Sequence, residues 1–223
     1  MFDDAIVAPT VELLADLAGG GRALEFAVGT GRIALPLAAA GLDVSGIELS
    51  EPMIAELRTK PGGADIPVVV GDMASTRVEG QFALVFLVFN TIMNVTTQQE
   101  QVAVFRNAAA HLAPGGRFAV EVAVPRVGGT ESVERRRVFT MSDEHVGIET
   151  FDDPVGQISS SHHWLNADGR LVRRSAPYRY VYPPELDLMA QLAGLELEHR
   201  WAGWDRSEFT ADSTSHVSVW RLP

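Results

Sequence analysis

The sequence predicts an α/β fold: a seven-stranded, mostly parallel sheet with helices on both faces, an antiparallel last strand and a small antiparallel β insert over the cleft. Three observations predict it. An apolar run over residues 23–28 turns through Gly29 and Gly31 straight into a helix-compatible run carrying Ile33, Leu35 and Leu37. Residues 81–90, QFALVFLVFN, are almost continuously apolar, the mark of a central parallel strand buried on both faces. Strand-like and helical runs alternate as far as residue 125, after which the pattern changes to consecutive hairpin strands. At 223 residues the chain is long enough for one such domain and short for two. The expected division is a single domain over 1–223, its core at 10–125 and 183–223 and its insert at about 140–182.

Taken in order, Pro9 and Thr10 start a first helix, Val11, Leu13, Leu14 and Leu17 give it a partial apolar face, and Gly19-Gly20-Gly21 stop it. After the glycine turn, residues 43–48 read as a second strand ending in Glu48. That acid lies about 20 residues past Gly29, the spacing at which a carboxylate takes the ribose hydroxyls of a nucleotide. Ser50 as N-cap and Pro52 in the first turn open the next helix. Residues 66–70 form a third strand with Gly71-Asp72-Met73 at its carboxyl end. Residues 98–112 are an amphipathic helix with Val102, Phe105, Ala109 and Leu112 on one stripe. Pro114-Gly115-Gly116 end it, and 117–124 form a strand carrying Glu121. A carboxylate among valines and alanines is costly to bury unpaired, so Glu121 either reaches the ligand cleft or has a cationic partner.

Three hairpin strands follow at 146–151, 157–165 and 171–182, joined by Asp152-Asp153-Pro154-Val155-Gly156 and Asn166-Ala167-Asp168-Gly169-Arg170. Pro183-Pro184-Glu185 start the last helix, Gly194 caps it, and 195–201 with 216–220 close the sheet.

Composition narrows the function. With 29 acidic against 18 basic residues, a net charge of −11 argues against a broad nucleic-acid surface, which must neutralise phosphates. A small or uncharged substrate fits better. The compact basic cluster Arg135-Arg136-Arg137 follows Glu134 and reads as a solvated loop or strand edge. With no cysteine there is no disulfide, thiolate metal site or cysteine nucleophile. No H-E-x-x-H, P-loop, G-x-S-x-G or carboxylate–histidine metal spacing occurs, so no metal is expected. Asp3, Asp4, Pro9 and Glu12 interrupt the opening segment, which makes the cytoplasm the default location and a membrane role unexpected.

Strand, glycine turn, helix, strand and acid make a nucleoside-binding half-fold, in which backbone N–H groups face the ligand. Gly29-Thr30-Gly31-Arg32-Ile33-Ala34 fits G-x-G-x-x-A, which leaves a dinucleotide open. The wider string Glu25-Phe26-Ala27-Val28-Gly29-Thr30-Gly31 resembles motif I of the class I, Rossmann-like S-adenosylmethionine-dependent methyltransferases, E-x-G-x-G-x-G, with Ala27 where the family prefers its first glycine. His111-Leu112-Ala113-Pro114-Gly115-Gly116 is similar to that family's helix, L-x-P-G-G, strand landmark. The resemblance is close over residues 10–124 and extends to the remainder in layout.

It implies S-adenosylmethionine as cofactor and S-adenosylhomocysteine as product. It further implies a cofactor site of Glu25, Ala27, Gly29, Thr30, Gly31, Arg32, Glu48, Leu49, Asp72, Met73, Phe89 and Asn90, with Leu49 on the adenine and Asp72 accepting its amino group. Many members carry a longer N-terminal helical segment that closes over the cofactor; this chain is expected to supply little of one. In sugar N-methyltransferases of similar layout the insert shapes an acceptor pocket or a dimer contact, so a homodimer is an open expectation.

The implied reaction is methyl transfer to a nitrogen or oxygen of a small-molecule acceptor. Such in-line displacement relies on positioning and a dry cleft, and needs a general base only where the acceptor must lose a proton. The candidate bases are His162, His163 and Glu121, with His216 a further one; strand alternation sends His162 and His163 to opposite faces. Thr91 and Asn94, just past the central strand, are expected to face the acceptor. Trp164, Tyr178 and Trp204 are candidates for an aromatic acceptor pocket, against the alternative of ordinary sheet core.

Two other functions compete. An NAD-dependent reductase would normally repeat the nucleotide half and carry a Tyr-x-x-x-Lys pair, neither of which occurs. A non-catalytic adenosyl-binding module draws support only from Ala27 and the short N-terminus.

Overall fold

The computed structural model describes residues 4–125, 136–167 and 170–223. In chain order the core begins with α1 (Asp4–Ala18), β1 (Ala23–Phe26), α2 (Ala34–Ala39), β2 (Val44–Glu48), α3 (Glu51–Thr59), β3 (Val68–Val70) and β4 (Phe82–Leu87). A 3-10 turn (Thr91–Asn94), α4 (Gln98–His111) and β5 (Leu112–Ala123) follow. The insert holds β6 (Arg136–Met141), β7 (His145–Asp153), β8 (Ile158–Ala167) and β9 (Arg170–Arg179), and α5 (Pro183–Leu192), β10 (Glu196–Trp201) and β11 (Ser215–Arg221) complete the core.

All seven expected core strands join one sheet in the order β10-β11-β5-β4-β1-β2-β3. β11 runs antiparallel to both of its neighbours, and β1 to β5 are mutually parallel. The chain leaves β1 in one direction for β2 and β3 and in the other for β4 and β5, so the crevice beyond the carboxyl ends of β1 and β4 is a topological switch point.

Each face of the sheet buries its own apolar layer. On one side α1, α2 and α3 contribute Leu13, Leu14, Leu17, Leu37 and Leu57. On the other, α4 and α5 contribute Val104, Phe105, Leu186 and Met189. There Phe105 meets Phe118 and Trp220 edge-on at 5.1 and 5.2 Å between ring centroids. Fully burying side chains of this size is worth about 1.5–3 kcal/mol apiece.

The structure departs from the expected boundaries in ways that matter. α1 starts at Asp4 and runs through Pro9, which therefore does not open it; Thr10 Oγ1 donates to the Ile6 carbonyl beside the proline. Ser50 makes no side-chain cap to α3. β4 ends at Leu87, short of residue 90, because Phe89 and Asn90 are both left-handed, with φ of 57° and 60°, and swing the chain into the 3-10 turn. Pro114-Gly115-Gly116 lie within β5 as paired strand: Gly115 N donates to Leu222 O and Leu222 N to Gly116 O.

Among the described residues the insert has four strands where three were expected, in the order β6-β7-β8-β9. Arg136 and Arg137 lie in the additional edge strand β6; Arg135 falls outside the described residues. The expected turn residues Asp168 and Gly169 also fall outside them, between Ala167 and Arg170, which pair across β8 and β9.

Arg179, 4% exposed at the end of β9, seats the insert on the core. Its guanidinium donates to Gln101 of α4, to Gln157 before β8 and to Glu185 of α5. Gln101 Nε2 in turn donates to the Ile92 carbonyl in the 3-10 turn, at 3.1 Å. One buried cation thus ties the insert, two helices and the turn beyond β4 together.

Candidate active site

The glycine turn after β1 is built for close approach. Gly29 and Gly31 have φ of 58° and 81°, a region that disfavours side chains. At Gly31 an added Cβ would also stand 2.3 Å from Leu57 Cδ1. At Gly29 the nearest atoms would be no closer than the Ala27 carbonyl at 3.9 Å and Met53 Sδ at 4.0 Å. Ala27, too, is left-handed, with φ of 56°. Its preference for glycine in the resembling motif is therefore conformational as well as steric, and an alanine there carries on the order of 1 kcal/mol of strain.

Glu48 organises the turn from the end of β2. Gly29 N donates to its Oε2 and Ser50 N to its Oε1, both at 2.8 Å, and the residue is 6% exposed. Leu49 beside it is 69% exposed, an apolar platform facing outward. Ala27, Glu48, Leu49, Asp72, Met73, Thr91, Asn94 and Glu100 are among the residues lining a cleft of about 380 Å³. Asp72 is exposed and spends Oδ1 on the Ala74 N–H at 2.7 Å, so it also caps its own loop. Thr30 lies one residue on from Gly29, its carbonyl held by Lys60 Nζ at 2.8 Å.

Behind the turn, Glu25 is buried, with Oε2 lacking a hydrogen-bond partner. Burial drives its carboxyl well above the usual range, against the Ala34 N–H and the nearby Arg32 charge. Arg32 stacks on the Phe89 ring and shares its charge between Glu121 and Glu25. Glu121 therefore has its cationic partner, and its Oε2 accepts the Phe89 N–H at 2.9 Å. That bond, with Ala123 N donating to Asn90 Oδ1 at 2.6 Å, fixes the left-handed pair beyond β4. Two consecutive left-handed non-glycine residues are held there by surrounding structure, a pattern that concentrates at functional sites.

A second cavity of about 310 Å³ opens between this corner and the insert. The core lines it with Phe89, Asn90, Met93, Asn94 and Ala123; the insert adds Arg137, Phe139, Glu149, Ser161 and Tyr178, among others. Asn94 lines both cavities, so they meet at the 3-10 turn. Phe89 and Asn90, expected on the cofactor side, line the second cavity, and Thr91, expected on the acceptor side, lines the first. Within the second, the Tyr178 hydroxyl donates to Glu149 Oε1, and Arg137 Nη2 lies 2.7 Å from Glu149 Oε2. Burial, with the Glu149 hydrogen bond and charge added, pushes the Tyr178 phenol far up, so it stays protonated.

The other expected residues lie elsewhere. His162 bonds Thr150 Oγ1 and Ser175 Oγ and sits near Trp164 on the face of the insert away from Ser161; neither lines the two cavities. His163 stacks on His145, its Nδ1 2.9 Å from His145 Nε2, behind Phe139. His216 is fully buried in β11 with Nδ1 on Ser218 Oγ, and burial lowers it to about 4, so it is a neutral core residue. Trp204 is 7% exposed in the apolar layer with α1 and α2, as sheet-layer core.

Glu149, Arg137 and Phe139 were not among the expected site residues. Glu149 was legible in principle: Gly147 and Glu149 are the buried alternate positions of β7, and an acid on an inward row needs a partner or a ligand. Arg137 was read with its neighbours as a solvated loop or strand edge, and Phe139 was not singled out; pairing of the edge strand β6 with β7 brings both to the cavity.

A methyltransferase-domain family model matches residues 23–116, from β1 through the glycine turn into the start of β5. The CcbJ methyltransferase of Streptomyces caelestis is 37% identical, covering all of this chain and 93% of its own, with a TM-score of 0.86. This chain belongs to the class I S-adenosylmethionine-dependent methyltransferases. A cypemycin N-terminal methyltransferase of Streptomyces is 28% identical over 205 residues, 90% of this chain and 82% of its own. In fold, the S-adenosylmethionine-bound amino pentose methyltransferase CalS10 of Micromonospora echinaspora matches with a TM-score of 0.74 at 21% identity, over 97% and 90% of the two chains. The methyltransferase is thus an enzyme whose cofactor is S-adenosylmethionine, and the glycine turn, the Glu48 carboxylate at the end of β2 and the exposed Leu49 are of a chemistry that fits that cofactor. Among the described residues no helix is long and apolar enough to cross a membrane, and no group of three or more His, Cys, Asp and Glu is placed to hold a metal.

Proposed function

We propose that this methyltransferase methylates a nitrogen of a small-molecule amine held in the cavity beneath the insert. The observation that carries the reading is the meeting of two cavities, of about 380 and 310 Å³, at Asn94. On this reading Gly29, Gly31, Glu48, Leu49, Asp72 and Met73 hold the cofactor, with Glu25 and Arg32 bracing the turn from behind. Glu48 keeps the turn with one lone pair of each oxygen and has the others left for hydroxyls. When bound, S-adenosylmethionine supplies an electrophilic methyl on a sulfonium. The second cavity's residues position the acceptor in line with it and exclude water. The transferred methyl exchanges its sulfur bond for a bond to nitrogen, and the surplus N–H proton then leaves to solvent.

Nitrogen is favoured over oxygen by what lines that cavity. An alcohol or phenol must lose its proton to attack, whereas a free amine already carries its lone pair. Among the described lining residues the titratable groups are Arg137 with its ion-paired Glu149, and Tyr178, whose phenol is held protonated. A cavity of this size suits a sugar-sized acceptor or the end of a peptide. The names of the cypemycin N-terminal methyltransferase and the sugar N-methyltransferase KedS8 of Streptoalloteichus point the same way.

The test is mass-spectrometric detection of methyl transfer from methyl-labelled S-adenosylmethionine to matched aminosugars, peptide N-termini, alcohols and phenols. Label on amines alone is the expected result. Label on alcohols or phenols with none on amines would overturn the nitrogen reading.

A further inference from the structure

Glu149 stands out among the side chains around the second cavity. It is 8% exposed, yet it is a carboxylate on the wall of a chamber whose other described lining residues are neutral, Arg137 apart. Its two oxygens are served very differently. Oε1 takes the hydroxyl of Tyr178, a half-buried side chain of β9. Oε2 faces Arg137, whose side chain is 59% exposed on the edge strand β6. The Arg137 arm reaches in from solvent on an edge strand, so it can swing out and leave Oε2 to another cation. The aromatic faces of Phe139 and Tyr178 line the same chamber, and such faces attract cations.

We propose that Glu149 is the acceptor-selecting residue of this enzyme, binding the amino group of the acceptor by exchanging it for the Arg137 guanidinium. The inference rests on the amine reading above and names the group that enforces it. Tyr178 holds the carboxylate in place from one oxygen while the other accepts an N–H of the acceptor. The acceptor binds as its ammonium ion, one N–H donating to Oε2; when another of its protons leaves to solvent, the lone pair so freed points away from the carboxylate, which orients the nucleophile without a histidine. Arg137 then serves as a resident cation that keeps Glu149 compensated until the acceptor arrives. Among the described residues, Ser161, Asn90 and Asn94, the other polar groups lining the chamber with Tyr178, are neutral and leave the choice of charge to Glu149.

The experiment is calorimetric titration of the S-adenosylhomocysteine-loaded protein at neutral pH with benzylamine and cyclohexylamine, beside their neutral counterparts benzyl alcohol and cyclohexanol. The amines are expected to bind at least about tenfold more tightly than the alcohols, a preference that Glu149→Gln erases by removing the charge. Arg137→Ala, at an exposed edge position, is expected to tighten amine binding by removing the competing cation. Equal binding of amines and alcohols by the unaltered protein, no amine binding, a preference that survives Glu149→Gln, or weaker amine binding in Arg137→Ala would each overturn the proposal. S-adenosylhomocysteine affinity, measured in the same variants, is expected to stay unchanged, which separates acceptor selection from a collapse of the site. Failure of the nitrogen reading is distinguished by the transfer experiment, where label would appear on oxygen whatever these titrations show.

Discussion

Ala27, Gly29 and Glu48 show how much the cofactor turn depends on single residues. Ala27 adopts a left-handed backbone that glycine would take without strain, so Ala27→Gly is expected to raise stability by up to about 1 kcal/mol in chemical denaturation without weakening S-adenosylhomocysteine binding. Gly29→Val places a β-branched side chain at positive φ beside Met53 and is expected to abolish binding in calorimetry while circular dichroism stays native. Glu48→Ala removes a carboxylate that already fixes two backbone N–H groups, so a loss of about 1–3 kcal/mol in cofactor affinity is expected; unchanged affinity would contradict its place in the site. These residues were readable in the sequence because a glycine turn and an acid at fixed spacing are local facts. On the acceptor side Tyr178 and Asn94 were expected, but Glu149 was not: it lies 29 residues from Tyr178 and meets it only because β7, β8 and β9 align them.

At the scale of elements, the insert carries the least local information, whereas the closing strands expected at 195–201 and 216–220 lie at Glu196–Trp201 and Ser215–Arg221. The parallel strands announced themselves through apolar runs, whereas β6 is short, starts with two arginines and has mostly exposed residues, so it lacks a buried row and is recognised by its pairing with β7. What seats the insert is Arg179, whose buried ion pair with Glu185 reaches α5 from the end of β9. Arg179→Met strands part of that network and is expected to cost about 3 kcal/mol in denaturation, with faster hydrogen exchange in β8, β9 and the 3-10 turn than in β1 and β2. His216, within β11, gives a pH signature. Its folded pKa, lowered to about 4, lies below the ordinary value of 6.5, so the unfolded chain binds the extra proton first. Stability is therefore expected to fall as pH drops from 6.5 toward 4, by up to about 3 kcal/mol from this residue, and His216→Leu should flatten that part of the curve.

For the molecule as a whole, two cavities share one wall, built where β4 hands the chain to the 3-10 turn and where the insert covers the strand ends. With a net charge of −11, a cation-accepting chamber is in character with its surroundings. The fold and the cofactor half were legible because they follow from strand order and a turn; the acceptor half arises from an insert whose chemistry is assembled across four strands. The measurement that tests this division most directly is a crystal structure with S-adenosylhomocysteine bound. The account predicts adenine against Leu49, the ribose on Glu48 and the sulfur directed to the junction where Asn94 lines both cavities. A sulfur directed away from the chamber of Glu149 and Tyr178 would contradict it.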